Sequence, residues 1–124
     1  MTKIVIPNDI TISLNLILDL AKTHWSKYYA MQQNLINVIY YYVKAQKIEP
    51  IITYPVRIKF NYFCASKRRD CDNISASKKF ILDALVKAGI LQGDGWKETC
   101  GGFEDNFYID NTNPRIEITI EEAA

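Results

Sequence analysis

The chain has a single histidine, His24, and that scarcity removes two classes of chemistry at once. Neither a histidine-based triad nor a His-rich metal centre is available, and His24 reads as a packing or contact residue. Cysteine is also sparse: Cys64, Cys71 and Cys100 form no CxxC pair, and an odd count makes a poor disulfide framework. Reduced thiols in a cytoplasm are the expectation. No Gly-rich phosphate loop of the P-loop or GxGxxG type is present. No apolar run approaches the length of a membrane span, and the N-terminus lacks the order of a signal peptide. The formal net charge is only +1, so any basic surface has to be local. Asn73-Ile74-Ser75 matches a glycosylation acceptor, but without a secretory signal it is a chance match.

What is present fits one domain over residues 1–124. Hydrophobic residues make up 48% and charged residues 23%, the composition of a chain able to bury one core. KIVIP (3–7) and the segment near Ile10 and Ile12 form a first strand region interrupted at Pro7. Residues 26–47 take helical spacing, with Tyr29, Gln32, Leu35, Ile36, Ile39 and Val43 near one stripe; YYYV (40–43) joins its buried side. VRIKFNYFC (56–64) alternates as a strand with Val56, Ile58, Phe60, Tyr62 and Cys64 on one face. A helix from about Ile74 to Ala88 follows, with Asn73 as N-cap and Gly89 as its stop. QGDGW is a tight turn, FEDNFYID a further strand, and RIEITIE (115–121) the last, with Ile116, Ile118 and Ile120 inward. The expected fold class is α+β: a mixed β-sheet packed with two main helices.

The stretch KRRDCDNISASKK (67–79) stands out from this plan. On an extended chain, residues two apart point the same way, so Asp70 and Asp72 can aim carboxylates at one point. Their repulsion is relieved by a cation, and Mg²⁺ is commonly held by one or two carboxylates while it keeps waters for a phosphate. Asp94, in a Gly-flanked turn beyond the next helix, is the candidate third acid if the chain folds back. Lys67, Arg68, Arg69, Lys78 and Lys79 bracket the pair with charge suited to a phosphodiester backbone. The plainer alternative is a solvated, charged turn without metal.

Several segments together resemble the RusA family of Holliday junction resolvases. These are SLN (13–15) followed by His24-Trp25, PVRIKFNYF, RRDCDN (68–73), LDALVKAGIL with Asp94 and Trp96 after it, and NPRIEITI. The combination of RRD-x-DN, LDAL-x-x-AG and a downstream aspartate is specific; a bare D-x-D is not. The resemblance implies a Mg²⁺-dependent, structure-selective endodeoxyribonuclease (Mn²⁺ substituting) that nicks four-way junctions in recombination and repair. Asp70, Asp72 and Asp94 would then be the metal carboxylates. Alignment on LDAL gives Lys79 the active-site lysine role, with Lys78 its neighbour, and Lys67, Arg68, Arg69, Asn73 and Lys78 the DNA contacts.

Two features depart from the family pattern. The gap between D-x-D-N and the lysine is longer by about a helical turn, and Gly93-Asp94 stands where relatives often carry two acids. Because a four-way junction has two equivalent strands to nick, the resemblance also implies a homodimer. It implies a bacterial or prophage-encoded chain of the cytoplasm, with no membrane partner. Two other functions fit the same residues: a non-catalytic protein that binds branched DNA, and a nuclease for flaps or forks.

Overall fold

The computed structural model describes residues 1–8, 22, 25–68 and 70–123; SLN, the Ile10–Ile12 segment, His24 and Arg69 lie outside the described residues. In chain order the elements are β1 (Thr2–Pro7), α1 (Trp25–Ala45), β2 (Val56–Cys64), α2 (Cys71–Ser75), α3 (Lys78–Lys87), α4 (Trp96–Thr99), β3 (Phe103–Ile109) and β4 (Arg115–Glu122). The four strands form one sheet in the order β1-β4-β2-β3. β4 runs antiparallel to both β1 and β2, whereas β3 runs parallel to β2, so the sheet is mixed. The fold is α+β, as the order of sequence patterns predicts.

Strict alternation makes β2 the spine. Val56, Ile58, Phe60, Tyr62 and Cys64 are buried, and Ile116, Ile118 and Ile120 of β4 and Ile4 and Ile6 of β1 extend the same face. Two helices cover that face. α1 contributes Ile36, Ile39 and Val43, and α3 contributes Phe80, Ile81, Leu82, Ala84 and Leu85. Each of these isoleucine, leucine, valine and phenylalanine side chains stabilises the fold by about 1.5–3 kcal/mol relative to exposure. The YYYV expectation is corrected here: Val43 is buried, but Tyr41 and Tyr42 are 71% and 43% exposed, and Tyr29 is also exposed. Consecutive residues on a helix step about 100° around the axis, so three tyrosines in a row cannot share a face.

The single helix expected from about 74 to 88 is in fact two. α2 begins at Cys71 with Asp70, not Asn73, at its N-cap position, and Ala76-Ser77 separates it from α3. Ser77 is buried and its hydroxyl donates to the Ile74 carbonyl at 3.1 Å, spending the side chain on the preceding turn. The far end of α3 matches expectation. Gly89 takes φ of +78°, its N–H donates to Val86 O, and Ile90 N–H donates to Leu85 O, the paired closure of a Schellman end. Gly101 is required for a different reason: a Cβ there would sit 2.4 Å from the Val56 carbonyl oxygen.

Among the described residues β1 is an edge strand, and a side chain occupies open hydrogen-bonding positions on it. Gln46 accepts from Val5 N–H at 3.0 Å and donates to Val5 O at 2.7 Å, as a neighbouring strand would. A third bond, to the Tyr42 carbonyl at 3.0 Å, anchors the amide to the end of α1.

Candidate functional site

Parallel strands cannot be joined by a tight turn, so β2 and β3 require a long crossover. Every residue singled out by KRRDCDNISASKK, and Asp94 with it, lies on that crossover. The chain leaves β2 at Cys64 and passes the exposed Lys67 and Arg68 before reaching α2. Asp70 is extended (φ −69°, ψ 154°) and makes no side-chain capping bond, while Asp72 lies inside the first turn of α2. The pair therefore straddles a helix start instead of sharing one side of an extended chain. Asn73 lies within α2.

α3 separates the two lysines. Lys79 Nζ lies 2.9 Å from Asp83 Oδ1, one helical turn on, and 3.1 Å from Asp94 Oδ2 in the turn after the helix. The chain does fold back, and it brings the third acid to the lysine. The hydrogen bond to Asp83, with Asp94 adding to it, raises the Lys79 ammonium above the usual lysine range. Conversely, the bond from Lys79 holds the Asp94 carboxyl below the usual aspartate range, and a hydrogen bond with Asp83 contributes in the same direction.

Lys78 turns the other way. Its ammonium lies 2.7 Å from Asp105 Oδ2 on β3, and 5.4 Å and 5.1 Å from the ring centres of Phe60 and Phe103. Asp105 also accepts from the buried Tyr62 hydroxyl at 3.3 Å. Burial first, and then the Asp105 charge, push the Tyr62 hydroxyl far above the usual phenol range. Lys78 is thus engaged in an internal cluster, with a side chain only 22% exposed, in contrast to 63% for Lys79.

Sequence reasoning missed Asp83 and Asp105. The four-residue spacing from Lys79 to Asp83 was the available signal for the first. For Asp105 the sequence held no such signal, because its place opposite Phe60, a core residue of β2, comes from the parallel pairing of β3 with β2.

Beyond the carboxyl ends of β2 and β3 lies a cavity of about 370 Å³. Ser66, Lys67 and Asp70 line it from the loop, and Phe107, Tyr108 and Ile109 from β3. It places Asp70 beside apolar walls and an exposed ammonium.

The test of a metal centre is the donor set. Among the described residues, no group of three or more His, Cys, Asp or Glu side chains stands at metal-holding spacing. Asp70, Asp72 and Asp94 are therefore not gathered into one ligand group, and Asp94 shares the Lys79 ammonium with Asp83 instead. Among the described residues, no helix is long and apolar enough to cross a membrane. No family model and no curated protein matches the chain.

Proposed function

We propose that the chain is a structure-selective endodeoxyribonuclease that resolves four-way DNA junctions by paired nicks, acting as a homodimer in the cytoplasm of a bacterium or its prophage. One observation carries this reading: Lys79 and Asp94, fifteen residues apart and singled out by the motif resemblance, meet at 3.1 Å. An ammonium and a carboxylate in contact, on the same crossover as Asp70 and the exposed Lys67 and Arg68, suit phosphodiester chemistry on a polyanion. In this reading Lys79 faces the scissile phosphate, Asp94 orients that ammonium, and the exposed Lys67 and Arg68 hold the flanking backbone. Mg²⁺ dependence rests on the motif alone, and no step is assigned to the metal.

The test is cleavage of a synthetic four-way junction with Mg²⁺ by the wild type and by Asp72→Asn. The variant should bind the junction and leave it intact, and cutting by the variant at the wild-type rate would sink the assignment. Flap and fork substrates run alongside decide whether the four-way junction is the preferred branch.

A second reading is a protein that binds branched DNA without cutting it. The ungathered carboxylates and the single acid at Gly93-Asp94 favour it. Tight junction binding with no product under either Mg²⁺ or Mn²⁺ would establish it over the first.

A further inference from the structure

The solvent-facing side of the sheet carries a short stack of flat groups that ends at the cavity. Arg115, Phe63 and Tyr108 are direct neighbours across β4, β2 and β3. The Arg115 guanidinium carbon lies 3.9 Å from the Phe63 ring centre, and ion pairs to Asp110 and Glu117 fix it there. Phe63 and Tyr108 stack at 4.9 Å with 22° between their planes. Among the described residues β3 is the outermost strand on that side, so Tyr108 ends the row; it is 47% exposed and lines the cavity. Phe107, which also lines the cavity, projects to the opposite, core-facing side of the sheet and stacks on the buried Tyr62 at 5.1 Å.

We infer that this cavity receives one unpaired nucleobase of the DNA, stacked on the ring of Tyr108. The inference rests on the branched-DNA reading above and names the part of the branch that is recognised. Cavities of this size with apolar walls and a few polar groups suit a small flat ligand. Ser66 and Asp70 offer hydrogen-bonding atoms to a base edge, and the exposed Lys67 offers a charge to the phosphate that a base necessarily carries with it. A base inside intact duplex is stacked and out of reach, whereas one at a branch is already partly released. The cavity thus gives selectivity for branches a physical origin beside Asp70.

The experiment uses a branched DNA with one unpaired fluorescent adenine analogue at the branch, in metal-free buffer so that nothing is cut. Binding of the wild type and of Tyr108→Phe should quench the fluorescence. Tyr108→Ala should bind this DNA about tenfold or more weakly, without quenching, while its affinity for plain duplex is unchanged. Binding by the wild type without quenching, or equal affinity of Tyr108→Ala, overturns the inference and leaves the nuclease reading standing. A wild type that binds no DNA overturns both.

A second measurement does not depend on the alanine variant folding. Both Cys64 and Cys71 line the cavity, but Cys64 is buried and Cys71 is exposed, so Cys71 is the thiol open to alkylation. In a Cys100→Ser background, branched DNA should slow alkylation of Cys71 and plain duplex should not; equal rates with both overturn the inference.

Discussion

The ammonium of Lys79 bridges Asp83 and Asp94, joining a helix to the acidic turn that follows it. Lys78, one residue earlier, makes its contact with a strand instead. Adjacent residues on a helix point about 100° apart, so the break at Ala76-Ser77 sets which lysine faces which acid.

The Lys79–Asp94 contact predicts a separation of activity from stability. An exposed ion pair contributes only about 0–1 kcal/mol, so Lys79→Ala and Asp94→Asn should melt within a few degrees of the wild type. Junction cleavage should nevertheless be lost in both. Normal cutting rates by either folded variant would remove these residues from the proposed chemistry.

Lys78→Ala should behave in the opposite way. It strips Asp105 of a partner in a partly buried setting and removes the cation from the rings of Phe60 and Phe103, at a cost of about 1–3 kcal/mol. Chemical denaturation should show the midpoint falling clearly below that of Lys79→Ala. Equal midpoints would mean that the internal cluster contributes little to stability.

Tyr62 predicts an alkaline limb in the stability curve. In the unfolded chain a tyrosine ionises near pH ~10, whereas the folded Tyr62 holds its proton well above that. Above pH ~10 the unfolded state therefore binds fewer protons, and stability falls as pH rises, by up to about 1.4 kcal/mol per unit. Thermal melts across that range should show the fall, and Tyr62→Phe should flatten it. An unchanged slope in the variant would exclude Tyr62 as the cause.

Gln46→Ala should uncover the edge of β1. The loss in stability should be modest, about 0.5–1.5 kcal/mol, because water can satisfy Val5. Self-association should rise, since an uncapped edge is a template for pairing with another copy. Sedimentation at increasing concentration checks this, and concentration-independent behaviour identical to the wild type would count against the amide as an edge guard.

Periodicity made the strands and the long helix legible. β2 spans Val56 to Cys64 as its alternation predicts, and α1 differs from the expected 26–47 by a residue or two at each end. Where local signals competed, the reading failed. Asn73 has the chemistry of an N-cap, yet the helix starts at Cys71, and buried Ser77 closes the first helix with its own hydroxyl. The sequence exposed Lys78 and Lys79 but not their partners Asp105 and Asp83. Asp105 sits on a strand whose burial hardly alternates, and its meeting with Lys78 across 27 positions depends on parallel pairing that periodicity does not report. The clasp of Gln46 on Val5, 41 residues apart, is tertiary for the same reason.

The strand order has a consequence for synthesis. β4 is the last of the four described strands in chain order, yet it lies between β1 and β2 and pairs with both. Until residues 115–122 emerge from the ribosome, β1 and the edge of β2 that faces it lack their common partner among the described strands. The sheet therefore cannot close over these edges before β4 has been made, and open strand edges invite misassembly.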